Sequence, residues 1–206
     1  MILSLADGRV VDLGASPVED DACGRLDELV EGYNVRPRND LLRDIVEVLC
    51  ARARHRIESD SAGAIADLST ALELISYIDR PDLVAKLHGL RAWARASTGN
   101  YQAALGDYDA AIEWAPSHAT YRNNRSVCRR LTGDVRGSVD DARMAVAEDR
   151  HSGLYWLTLA EAYAAGGDDL DAVTAVRRAL QLNPSLSLDL TDPVLDGLKA
   201  RDDFPC

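Results

Sequence analysis

Three two-residue turns, Gly99-Asn100, Gly133-Asp134 and Gly167-Asp168, stand 34 residues apart. Self-similarity at such a period marks a stacked array, in which each unit buries its apolar face on the next. Other positions keep the register. Ala104, Ser138 and Ala172 are equivalent, as are Ala111, Ala145 and Ala179, and Ile112, Val146 and Leu180. Pro116 is matched by Pro184 two periods on, with Arg150 breaking the rule between them. The stretch "TGNYQAALGDYDAAIEWAP" shows one half-unit, a short helix with small and apolar residues at helical spacing. Alone it has nothing on which to bury that face.

The residue types follow from backbone chemistry. Glycine ends the first helix of each unit, where a left-handed conformation is cheapest. The following Asp or Asn is placed to cap the second helix. Alanines let helices approach closely, and proline marks the exit. Together these features resemble the tetratricopeptide-repeat family. The clearest units are 85–118, 119–152 and 153–186, the last containing "WLTLAEAYAAGGDDLDAVTAVRRALQLNP". A degenerate unit lies at about 45–78, where Ala64 and Ala71 match Ala104 and Ala111 at an offset of 40. Six residues are then inserted around "SYIDRPD", extending this segment to 84, and Ser59-Asp60 stands in for the Gly-Asp turn. The expected fold is all-α, an α-solenoid of antiparallel helix pairs with a right-handed superhelical path.

The ends must cap the stack. Residues 187–206 hold "TDPVLDGLKARDDF", with Thr191 or Asp192 as N-cap and Val194, Leu195 and Leu198 as an apolar stripe. Residues 15–44 read as a helical cap, with Ser16, Pro17 and Glu19 as a capping box and Leu26, Leu29, Val30 and Tyr33 as the buried face. Residues 2–13 are two apolar runs around Asp7-Gly8, a two-residue hairpin signal within a 1–14 segment. An isolated hairpin is marginal in water. It must dock on the helices, pair with another chain, or stay disordered.

Composition restricts function. The formal charge of −11 argues against non-specific nucleic-acid or anionic-membrane binding, although Arg122, Arg125, Arg129 and Arg130 form a local basic cluster. The four cysteines are dispersed, with no CxxC pair, as expected for reduced cytoplasmic thiols. The N-terminus lacks a signal-peptide pattern, and no run of apolar residues is long enough for a membrane span. No metal, cofactor or catalytic motif is visible among the histidines His55, His88, His118 and His151 or the adjacent acidic pairs. His55 and His88 are expected to be partly buried packing residues. Arg91 and Arg125 share one register position, and Asp67, Asp107 and Asp141 share another, which predicts Arg-Asp pairs within or between units.

The resemblance implies a non-enzymatic scaffold or adaptor that holds a partner segment in a groove lined by the first helices. The groove positions it implies are Val46, Leu49, Ala53, Arg56 and Ile57 in the degenerate unit, and Lys86, Gly89, Trp93, Ala96 and Ser97 in the next. They continue as Thr120, Asn123, Val127, Arg130 and Leu131, then Leu154, Leu157, Glu161, Ala164 and Ala165. Trp93 is the aromatic residue of this set, and Lys86 and Arg130 give it a positive cast. The expected partner-binding residues are Lys86, Trp93, Asn123, Asn124, Val127, Arg130 and Glu161. The expected partner offers an apolar, somewhat acidic segment. Asn124 matches one position of the carboxylate clamp found in some relatives, but the remaining clamp positions do not match. Two other functional readings follow from the resemblance. One is a dedicated chaperone or regulator of a single secreted or assembled protein; the other is a nucleic-acid-binding helical array. Trp93 could also pack under a terminal segment instead of facing a partner.

Overall fold

The computed structural model describes residues 2–5, 7–13, 21–78, 80–188 and 191–205. The expected capping box at Ser16, Pro17 and Glu19 lies outside them. The described residues form ten α-helices and one two-stranded sheet, in two compact units, Met1–Asn100 and Tyr101–Cys206.

In the first unit, β1 (Ile2–Ser4) pairs antiparallel with β2 (Val10–Asp12), with Leu3 opposite Val11. The connection is a three-residue loop and not the expected two. Leu5 N donates to Arg9 O at 2.8 Å, and Gly8 takes φ +85°, the left-handed residue that closes such loops. The hairpin docks on the helices. Leu3, Leu5, Val11 and Leu13 are buried in one core with Leu26, Val30 and Tyr33 of α1 (Asp21–Val35) and Leu42, Ile45 and Leu49 of α2 (Asn39–Arg56). The outer edge of β1 is covered by one side chain: Ser4 N donates to Asn34 Oδ1, and Asn34 Nδ2 donates to Ile2 O, both at 2.9 Å. A side-chain amide thus replaces a third strand on an edge that would otherwise invite pairing. Tyr77 donates to Asp7 at 2.7 Å, and Arg9 bonds both Tyr77 and Glu73, which fastens the loop.

α2 is followed by α3 (Ser61–Leu74), a 3-10 turn (Ile75–Tyr77) and α4 (Pro81–Ser97). α2 starts six residues before the expected boundary at 45. The second unit holds α5 (Tyr101–Trp114), α6 (Ala119–Leu131), α7 (Val135–Glu148), α8 (Gly153–Gly166) and α9 (Asp169–Leu182). Two 3-10 turns (Pro184–Leu188, Pro193–Leu195) and α10 (Asp196–Lys199) complete it. Within each unit, helices adjacent in sequence pack on each other, α1 to α4 in the first and α5 to α9 in the second.

The turn glycines behave as their backbone chemistry requires. Gly99, Gly133 and Gly167 have φ of 78°, 90° and 79°. At each the next residue's N–H reaches back five residues, as Asn100 to Arg95, Asp134 to Arg129 and Asp168 to Tyr163 at 2.9–3.0 Å. Three identical helix stops result. Asp134 then caps α7 by accepting from Gly137 N at 2.9 Å, as Asp60 caps α3 through Gly63 N. Ala71, Ala111, Ala145 and Ala179 are fully buried, where a longer side chain would force the helices apart.

At the α2–α3 turn, which has no left-handed residue, Asp60 N reaches back only four residues, to Arg56 O at 2.7 Å, so this connection is effectively one residue shorter than those ending at Asn100 and Asp134. Aligned by their second helices, α2 is therefore shifted by one position, about 100° around its axis. Val46, Leu49, Ala53 and Ile57, expected along the groove, are core residues at 0–1% exposure. Arg56 is half-buried and pairs with Asp67 at 3.2 Å. The same shift decides the charge pairing. Arg125 forks onto Asp141 with Nε and Nη2 at 2.7 and 2.6 Å, as the register predicts. Asp67 receives Arg52 instead, with Nε at 2.8 Å, and Arg52 also donates to Leu13 O, tying the end of β2 to α2.

Candidate functional site

The displaced face of α2 opens toward α4. Glu47, Cys50, Ala51 and Arg54 face Arg80, Asp82, Leu83 and Lys86 across a cleft of about 430 Å³. A second hollow of about 320 Å³ is lined by Ala51 and Arg54 again, with His55 and Trp93. His55 is exposed here and not a packing residue, because α2 is rotated. His88 is half-buried.

The α4 side of the cleft comes from the sequence insertion. α4 has 17 residues against 13 in α6, and the segment before it, 75–80, has six residues against four in 115–118. Four inserted residues therefore build an extra helical turn, begun by Pro81 at the position that tolerates it. Two lengthen the connection. Arg80, Asp82 and Leu83 of the cleft lie in or next to this added turn.

Arg80 is engaged, at 2.7 Å from Asp82 and 3.8 Å from Glu47, and it holds the Asp82 carboxyl down at about 2. Arg54 and Lys86 form no ion pair with any described residue. Burial pushes the Cys50 thiol up, opposed by the positive charge of Lys86 and Arg54. The cleft offers a buried thiol and two exposed cations, and the adjoining hollow an aromatic face, a set that suits binding.

Of the expected site residues, Lys86 and Trp93 lie two turns apart on α4, both exposed, Trp93 at 42%. The other five lie in the second unit. Asn123 is buried at 4% exposure, its Nδ2 donating to Asn124 Oδ1 at 3.3 Å, so it is corrected from a surface contact to a packing residue. The equivalent Cys50, Gly89 and Leu157 are buried too. This position faces the inside of the helix layer. Asn124 and Val127 are half-buried, and Asn124 hydrogen-bonds Tyr108. Arg130 and Glu161 are not open groove charges. Arg130 Nη2 lies 3.1 Å from Glu161 and 2.7 Å from Asp192 of the C-terminal segment. Burial and the nearby Asp192 carboxylate raise Glu161 to about 7, against the pull of Arg130.

Sequence reasoning missed Arg54, His55 and Arg80. The signal was the absence of glycine at Ser59-Asp60, which marks a different turn but not its length. Among the described residues no group of His, Cys, Asp or Glu is placed to hold a metal ion, and no helix is long and apolar enough to cross a membrane.

No family model matches the chain. Tetratricopeptide repeat protein 36 of Mus musculus is 41% identical over 61 residues, 30% of this chain and 31% of that protein. Small glutamine-rich tetratricopeptide repeat-containing protein 2 of Mycosarcoma maydis is 30% identical over 89 residues, 43% of this chain and 25% of that protein. The match thus spans about a third or less of these curated relatives. Among solved structures, a crystal structure of MamA superposes with a TM-score of 0.63 at 16% identity, covering 82% of this chain and 92% of that one. A thermophilic TPR protein of Thermus thermophilus gives 0.60 at 18% identity, covering 86% and 99%. At these identities the likeness is one of fold.

Proposed function

This chain belongs to the tetratricopeptide-repeat proteins, and from that premise we propose that it is a non-enzymatic adaptor whose partner segment enters the α2/α4 cleft of the first unit. A protein-interaction scaffold is the general role its relatives imply. One observation carries the finer reading: in a chain of charge −11, two cations without ion-pair partners among the described residues, Arg54 and Lys86, line a cleft that adjoins an exposed tryptophan. A segment with an apolar side chain for Trp93 and carboxylates for Arg54 and Lys86 complements it. A cytoplasmic setting fits the dispersed cysteines, of which Cys50 and Cys128 are free and buried.

The test begins with recovery of a partner from native lysate on the wild-type chain, followed by titration of that partner. Trp93→Ala should weaken binding by roughly 2 kcal/mol or more, the usual cost of an aromatic anchor, while the thermal midpoint falls only slightly. Arg54→Glu with Lys86→Glu should slow association and remove most of its salt dependence. Unchanged affinity for Trp93→Ala, together with a large loss of stability, would make the tryptophan a packing residue and end the reading.

A further inference from the structure

The second unit carries a different feature, independent of the cleft. The segment after α9 turns back onto α8, with the 3-10 turn Pro193–Leu195 packed on that helix. Leu195 and Leu198, at 0% and 3% exposure, share a core cluster with Leu157 and Ala160 of α8. Asp192 leads this segment and places its carboxylate 2.7 Å from Arg130 of α6, while its other oxygen accepts from Val194 N at 2.9 Å. The chain therefore seats a short acidic and apolar sequence of its own on first-helix positions that the repeat register assigns to ligands.

We propose that the α8 face, with Arg130 at its edge, is a binding site for segments in which a carboxylate is followed three and six residues on by leucine, and that residues 192–198 occupy it in cis as a releasable strap. The charge arrangement supports release. Arg130 is nearly buried, at 10% side-chain exposure, and an uncompensated cation there would be costly. Glu161, at 3.1 Å, remains as counter-ion when Asp192 departs. With Asp192 seated, two carboxylates share one guanidinium, and Glu161 is the one pushed toward its neutral form. The site is thus neutralised with the strap on or off, and an incoming carboxylate finds the same guanidinium. The strap itself is short. Two buried leucines, the half-buried Val194 and Phe204, and one charge pair seat it, and its polar ties to α9, Arg201 with Asp169 at 3.5 Å and Arg177 with Asp203 O at 2.9 Å, lie at the surface. Exposed ties of this kind hold weakly.

A fluorescein-labelled synthetic peptide of residues 190–201 is the probe, titrated by anisotropy against the full chain and against a full-length Leu195→Ala/Leu198→Ala variant. Expected is binding at least about tenfold tighter to the variant, whose own strap competes less, and a loss of about tenfold or more when the peptide's Asp192 is replaced by Ala. Arg130→Gln in the variant should remove binding, and Trp93→Ala should leave it unchanged. A helical variant that binds the peptide no better than wild type would overturn the proposal and leave the segment a fixed cap. Peptide binding lost with Trp93→Ala would overturn it too, by assigning the peptide to the first unit. Where the variant does not fold, hydrogen exchange on the wild type decides. Amides of 193–199 exchanging far faster than those of α9 support a releasable strap, and equal protection overturns it.

Discussion

In the second unit α6 and α8 pack against each other and are bridged by Arg130 and Glu161; in the first, α2 and α4 stand around a cleft. Both are junctions between successive first helices of one repeat type. The difference comes from length. Six residues added before α4 become one extra turn and a longer connection, and that turn supplies a wall of the cleft. The α2–α3 turn, one residue tighter than its counterparts, rotates α2 and presents Arg54 and His55 in place of core residues. In a stacked array, insertions leave the layers intact and appear at their faces, and in the degenerate unit they open a charged cleft between the first helices. The ends differ as well. The first unit is closed by a hairpin buried through four apolar side chains and locked by Asn34, the second by a strap held by two buried leucines, the half-buried Val194 and Phe204, and a shared ion pair.

The largest effect should come from the charge pairs. Asp67→Ala removes the carboxylate onto which Arg52, 4% exposed, forks, and should cost about 3–5 kcal/mol by urea denaturation. Asp141→Ala should cost less, because Arg125 keeps Asp109 at 2.7 Å. Equal losses would show that the two pairs are not differently buried and would break the comparison.

Glu161 distinguishes the units by pH. Its folded value of about 7 lies above the ordinary 4.5, so the folded state binds the extra proton between those limits. Stability should be highest below about pH 4.5 as far as this group is concerned, and should fall as pH rises toward 7. Glu161→Gln removes that slope. At about 1.4 kcal/mol per unit, the variant should gain at most about 3 kcal/mol over wild type by pH 8 relative to pH 4.5. Hydrogen exchange should locate the change in the second unit, and a parallel pair of stability curves would refute it.

Next in size is packing. Ala145→Leu and Ala71→Leu both place a larger side chain at a fully buried helix contact and should each cost about 1–3 kcal/mol. A smaller penalty at Ala71 would show that the lengthened first unit absorbs strain that the second does not.

The smallest effect tests the turns. Gly133→Ala, at φ 90°, should cost about 1 kcal/mol, whereas Ser59→Ala, in a turn without a left-handed residue, should stay within about 0.5 kcal/mol. Thermal melts of the two variants suffice, and a costly Ser59→Ala would mean that the tighter turn holds α2 through its side chain.

The helix pairs, the three glycine stops, the buried alanines and the Arg125–Asp141 pair were legible because their causes are local. A left-handed residue, a capping carboxylate and a fixed period depend on neighbours in sequence or one turn away, and a single chain displays them directly. The docking of residues 2–13 was open among three outcomes for the opposite reason: it depends on α1 and α2, which receive Leu3 and Val11 from outside the hairpin.

The sequence by itself determined the repeat and its register wherever glycine marked the turn. Only the tertiary structure decided which register positions are surface. The register puts Asn123 at a groove contact, yet it lies buried; it puts Val46 and Leu49 along the groove, yet they lie in the core; and it leaves Arg130 open, yet it meets Asp192 62 residues away. Exposure is set by what packs on top of a residue. A one-residue change in a turn without glycine, or a strap returning from the far end of the chain, leaves no trace in the local pattern that the periodicity reports.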